Sequence, residues 1–126
     1  MNAQNPHDWL TKAERDLNLA HDAYQLGKDY WDIICYHCQQ ATEKNFKAYL
    51  IHRQVVFPRT HDLELLLNLI AKNEPIPADF MEKALAINDY SVHVRYPGFP
   101  FEPSITEAAE AIQIAEVFRA FVLSKL

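Results

Sequence analysis

Apolar residues recur along this chain at intervals of three and four, the period of a helix packed on one side. Leu10, Ala13, Leu17, Ala20 and Tyr24 share one such stripe, and Lys12, Glu14, Arg15, Asp16 and Asp22 fall mainly elsewhere. The spacing predicts a first helix from about Asp8 to Leu26, with Asp8 as N-cap, Pro6 just outside it and Gly27 ending it. A second helix is predicted from about Asp29 to His52, a stretch free of Gly and Pro. Ile34, Cys38, Ala41 and Ala48 form its stripe, with Asn45 as the polar exception, and Glu43 and Lys47 make a favourable pair one turn apart. The small residues permit close approach of a neighbour. The short turn at 27–29 predicts an antiparallel hairpin of helices one and two.

A third helix is predicted to begin near Thr60 or His61, capped by Thr60, and to run to about Asn73. Leu63, Leu66, Leu67 and Ile70 face inward, and Leu65 and Leu69 widen that face. A fourth helix spans about Ala78 to Asp89. The next stretch, YSVHVRYPGFPFEPS, carries Pro97, Gly98, Pro100 and Pro103 and reads as a loop. Ser104 and Glu107 have the spacing of a capping box and open a last helix to about Lys125, with Ile105, Ala108, Ile112, Ala115 and Phe118 as its apolar face. The sum is an all-α, up-and-down bundle of four to five helices forming a single domain over residues 1–126.

Composition agrees with that picture and removes some functions. A chain of 126 residues, 49% of them hydrophobic, can bury a real core. With only two glycines there is little room for tight hairpins or Gly-rich phosphate loops. No apolar run approaches a membrane span, and MNAQNPHD is not a secretory signal, so a cytoplasmic protein without a membrane role is expected. A net charge of −5 argues against broad nucleic-acid binding. It leaves room for a local basic pocket such as HRQVVFPRTH, with Arg53, Arg59 and two histidines.

Cys35-Tyr36-His37-Cys38 looks at first like redox or metal chemistry. A reactive C-x-x-C sits at a helix N-terminus, whereas this one lies within the predicted second helix. Cys35, His37 and Cys38 cannot all face one ion from a regular helix, and no second ligand pair has finger spacing. Packing between helices is the simpler reading, and neither a metal nor a cofactor is implied.

Three groups of polar residues stand out. His37, Gln40, Lys44 and Lys47 line one face of the second helix and suit a phosphate or nucleotide; the alternative is a solvated face. Arg59 and His61 flank the start of the third helix, where an anion fits; the alternative is an arginine serving carbonyls or a carboxylate. Tyr90, His93, Arg95 and Tyr96 offer rings for a base and a cation for phosphate; the alternative is packing of the loop onto the bundle. No Ser/His/Asp arrangement or paired-carboxylate site emerges.

The helix-one pattern Trp9…Ala13-Glu14…Asp16-Leu17, the motif His37-x-Gln39-Gln40-Ala41-x-Glu43-Lys44, the turn Thr60-His61-Asp62-Leu63 and Arg95-Tyr96-Pro97 together resemble the HEPN domain family, over nearly the whole chain and in order. The resemblance implies an α-helical bundle, usually a homodimer, of the type encoded beside a minimal nucleotidyltransferase in a toxin–antitoxin-like pair. Some relatives bind nucleotides; others are metal-independent ribonucleases. The ribonuclease type carries an Arg, four to six residues, then a His near the start of a late helix. Here no His follows Arg95, His93 precedes it, and Arg59 and His61 are too close. Arg15 and His21 have the spacing but sit in helix one, about 120° apart around it. The expected function is therefore nucleotide and partner binding, with phosphate bound by Lys and Arg, base or ribose by Gln40, and stacking by Tyr90 or Tyr96. The alternatives are a variant ribonuclease acting on RNA through His93 and Arg95, and a ligand-free helical interaction domain. Trp31 and RYPGFPF are the expected dimer surfaces.

Overall fold

The computed structural model describes residues 5–91, 97–98 and 102–126, and among these it contains helices and no strand. The helices are α1 (Pro6–Leu26), α2 (Trp31–His52), α3 (Leu63–Ala71), α4 (Phe80–Asn88) and α5 (Ile105–Ser124), and a single 3-10 turn (Asp89–Ser91) extends α4. The chain is an all-α helical bundle, as the periodicity predicts.

Helix ends depart from expectation where two capping groups compete. Pro6 is the first residue of α1 rather than outside it, because proline has no N–H to leave unpaired there. Asn5 is the cap, its side chain accepting from the His7 N–H at 2.9 Å, and Asp8 falls in the first turn. At α3 the cap is Asp62, which accepts from the Glu64 N–H at 3.0 Å. Thr60 instead accepts from the Asp62 N–H and tightens the preceding turn. α2 and α4 each begin two residues later than their spacing predicts. The capping box of α5 is complete: the Ser104 hydroxyl accepts from the Glu107 N–H, and the Glu107 carboxylate accepts from the Ser104 N–H.

α2 is the axis. α1 returns against it through the small stripe Ala13, Leu17, Ala20 and Ala23, all buried. Trp9 lies over Lys47, Asp16 reaches His37 and Lys44, and Tyr24 meets Trp31, so the hairpin is antiparallel and folds about Lys28. α5 lies on α2 in the same direction. Phe46 meets Phe118 edge-on at 4.9 Å, and Arg53 donates to the Lys125 carbonyl. Phe118 also meets Phe80 of α4 at 5.0 Å; burying such a ring contributes about 3 kcal/mol.

The segment after α2 doubles back along it, so that Phe57 lies beside Lys47 and His61 reaches Gln39 and Glu43. That return lets α3 climb beside α2 in the same direction. Its far end is pinned by Glu74, which pairs with Arg53 at 3.1 Å and Lys125 at 3.2 Å and accepts from the Tyr49 hydroxyl at 3.1 Å. Burial alone raises the Glu74 carboxyl, but the hydrogen bonds from Lys125 and Tyr49 outweigh it and hold it below the usual range. Asn88, at the end of α4, accepts from the Leu63 N–H and donates to Asp62, fixing α4 to the start of α3.

The reversal is made by a helix-ending motif with an unusual residue. The Val55 N–H donates to the Leu50 carbonyl at 2.8 Å and the Gln54 N–H to the Ile51 carbonyl at 3.0 Å, the paired bonds of a Schellman motif. Its left-handed position, φ 60°, is held by Gln54, where glycine is usual. Gln54→Gly is therefore expected to raise stability by about 1 kcal/mol in urea melts. Gln54→Val, β-branched at the same φ, is expected to lower it.

Candidate functional site

The polar residues of α2 are engaged in two clusters built from inside the bundle. In the first, Asp16 of α1 lies between two partners on α2: its carboxylate pairs with the His37 ring at 2.8 Å and with the Lys44 ammonium. Burial on its own raises the Asp16 carboxyl, but the His37 and Lys44 hydrogen bonds and charges more than offset it, so its pKa lies below the ordinary value. The cluster locks the register of the hairpin.

The second cluster is deeper. Glu43 is 3% exposed and Lys47 6%, on adjacent turns of α2. Lys47 donates to Glu43 Oε2 at 2.9 Å, and its ammonium lies over the rings of Trp9 (5.5 Å) and Phe57 (6.0 Å). The pair expected from its spacing one turn apart is present, and it is buried. An ion pair in low dielectric is tolerable only when its remaining hydrogen-bonding capacity is satisfied. Here Glu43 Oε1 takes His61 Nδ1 at 2.9 Å and Gln40 Nε2 at 3.4 Å. Gln40 also donates to Gln39, and Gln39 donates to the His61 carbonyl at 2.9 Å. His61 is therefore fixed twice, through backbone and ring, while its side chain stays 65% exposed.

Of the sequence-predicted site residues, Gln40, Lys47 and His61 meet at Glu43, and His37 and Lys44 meet at Asp16 one stretch along the same helix. Arg59 is exposed, two residues before His61. Tyr90 is 7% exposed: its ring is in the core and its hydroxyl is hydrogen-bonded with the Cys35 thiol, so it presents no open face for stacking. His93, Arg95 and Tyr96 lie outside the described residues. Sequence reasoning paired Glu43 with Lys47 but missed Asp16 as the partner of His37 and Lys44. Asp16 was legible in principle, since reflecting residue 16 about the turn lands between His37 and Lys44. Trp9 and Phe57 carry no local signal, because their contact with Lys47 is tertiary.

Cys35 and Cys38 are free and buried. Burial pushes the Cys35 thiol up to about 12 and raises Cys38 as well, so neither is a thiolate near neutrality. Both pack the core, as the sequence suggests. Among the described residues, no three His, Cys, Asp or Glu side chains gather around a metal-sized space. No helix among them is long and apolar enough to cross a membrane. A groove of about 380 Å³ between α4 and α5, lined by Asp79, Glu82, Lys83, Glu110, Ile114 and Val117 among others, shares no residue with either cluster.

Two outcomes test these clusters. Because Asp16 has a depressed pKa when folded, its contribution is present above the unfolded carboxylate pKa and is lost as pH falls through the folded one. Asp16→Asn is expected to cost about 2 kcal/mol at pH 7 and to flatten the acid limb of a stability–pH curve. Lys47→Met alone leaves a buried carboxylate short of its cation and is expected to cost about 3–5 kcal/mol in denaturant melts. Lys47→Met with Glu43→Leu is expected to cost less than Lys47→Met alone.

The same arrangement of helices is found in known proteins. The HEPN domain model matches residues 6–126. The solved structure of TT1696 from Thermus thermophilus is 32% identical and superposes with a TM-score of 0.85, covering 100% of both chains. An archaeal HEPN homologue, ST0689, is 28% identical, with a TM-score of 0.77 over 96% of this chain and 97% of its own. A HEPN domain protein of Thermotoga maritima, at 22% identity, shares the fold with a TM-score of 0.74 over 95% of this chain and 100% of its own. No curated protein matches. With the family model matching nearly the whole chain and the helices superposing on those of its relatives, the chain belongs to the HEPN domain family.

Proposed function

We propose that this chain is a HEPN module for binding a protein partner and a nucleotide, acting as a homodimer with a minimal nucleotidyltransferase in a toxin–antitoxin-like pair and contributing no catalytic group of its own. The observation that carries this reading is the use made of the α2 motif. His37, Lys44, Glu43 and Lys47, the residues from which a catalytic constellation on this face would be drawn, are spent on joining α1, α2 and the turn before α3. A motif used this way builds a scaffold, and the work falls to the surfaces the scaffold presents.

One end of the bundle supports the partner role. Leu26 closes α1, Tyr30 and Ile33 open α2 and Ile105 opens α5; all four are exposed large apolar side chains. Such a group on a bundle end is characteristic of an interface. Trp31 contributes less than its sequence position suggests, since it is partly buried against Tyr24. For nucleotide, the exposed cationic positions among the described candidate residues are Arg59 and His61, because Lys44 and Lys47 are turned inward onto carboxylates while the His61 side chain stays open.

The test is co-expression with a minimal nucleotidyltransferase encoded beside this chain, followed by light scattering of the purified material. The expected result is a complex containing two copies of this chain, weakened at least tenfold by Tyr30→Glu with Ile33→Asp while the helical circular dichroism is unchanged. A monomer that fails to retain the nucleotidyltransferase overturns the reading.

A further inference from the structure

We propose that, among the described residues, His61 contacts phosphate and that binding a phosphate ester there is coupled to proton uptake by its imidazole. The inference rests on the nucleotide half of the function proposed above and deepens it.

The geometry separates His61 from every other cation suggested by the sequence on α2. Lys44 and His37 share Asp16, and Lys47 is 6% exposed beneath Trp9 and Phe57. Each has its charge answered inside the bundle. His61 instead presents one nitrogen inward and one outward. Nδ1 is held by the buried Glu43 at 2.9 Å, its carbonyl is held by Gln39, and the side chain is 65% exposed. Among the described residues Nε2 has no partner. A ring whose inner nitrogen is fixed by a carboxylate has its outer nitrogen aimed before any ligand arrives, which lowers the ordering cost of binding.

The charges around it explain the coupling. Glu43 and Lys47 of α2 neutralise each other. In the turn, Arg59 is exposed and has no ion-pair partner among the described residues, and Asp62 is occupied by the Glu64 N–H and by Asn88 of α4. With His61 neutral, Nε2 carries a lone pair and repels a phosphate oxygen. With His61 protonated, both ring nitrogens donate, one to Glu43 and one to the phosphate. An arriving phosphate therefore favours the imidazolium, and one proton is drawn from solvent onto Nε2 as the ligand binds. Arg59, two residues away, is the second contact, a fixed charge that adds affinity but no proton.

Calorimetry of the full chain with ATP, in two buffers of different ionisation enthalpy at the same pH, reads the coupling directly. The expected result is a binding heat that changes with buffer by an amount corresponding to proton uptake. His61→Gln, at an exposed position, is expected to weaken binding about tenfold and to lose that uptake, leaving only the proton that the terminal phosphate of ATP itself exchanges. Arg59→Gln is expected to weaken binding while keeping the uptake. A shift of the His61 Cε1–H proton resonance on adding ATP gives a readout that does not depend on heat. The same buffer dependence in the wild type and in His61→Gln overturns the inference and leaves nucleotide binding standing. No heat and no resonance shift at millimolar ATP overturns both, and leaves the partner role to its own test.

Discussion

Everything in this bundle has to accommodate one buried carboxylate. Glu43 faces inward from the middle of α2, where an uncompensated charge would cost several kcal/mol. Its two oxygens dictate what surrounds it. One requires a cation, supplied by Lys47 a turn away; that ammonium is in turn covered by Trp9 from α1 and Phe57 from the returning loop. The other requires donors, supplied by Gln40 and by His61. To bring His61 there, the chain leaving α2 must turn back along it, so the position of α3 follows from the needs of one side chain. The same interaction that makes the fold specific also leaves His61 as an aimed, exposed imidazole.

The Asp16 cluster is the shallower counterpart. It sits between two helices that small residues already allow to approach closely, and it selects one register among those the alanine stripe would tolerate. Apolar burial supplies the driving force without direction; the ion pairs supply the direction. In this chain the stretch His37-x-Gln39-Gln40-x-x-Glu43-Lys44 builds a three-way junction, since His37 and Lys44 face α1, while Gln39, Gln40 and Glu43 hold the turn before α3.

The elements themselves were legible. The stripes on α1, α3 and α5, the absence of breakers in α2 and the capping box at Ser104 are local facts, and local facts predict helices well. Ends were less legible where neighbouring residues could each serve as cap. Asp8 and Thr60 have the right chemistry, but Asn5 and Asp62 have it too, and the choice depends on which residue can adopt the extended cap conformation in the folded chain. The candidate site was half legible. Its cations were found because spacing puts them on one face; their carboxylate partner on another helix was not, because contact between elements leaves no period in either.

What the sequence determined by itself was the set of helices, their inward faces, the antiparallel hairpin of the first two and membership of the HEPN family, because periodicity, breakers and a short turn act within a few residues. Tertiary structure decided how the polar face of α2 is used. A stripe of histidine, glutamine and lysines has the same spacing whether it faces water, a phosphate or a neighbouring helix. Only the approach of Asp16, and the folding of the 53–62 segment back onto Glu43, showed that Lys44 and Lys47 are tied inward and that His61 is the group turned out. Burial sets the cost of an unpaired charge, and burial is a property of the assembled bundle.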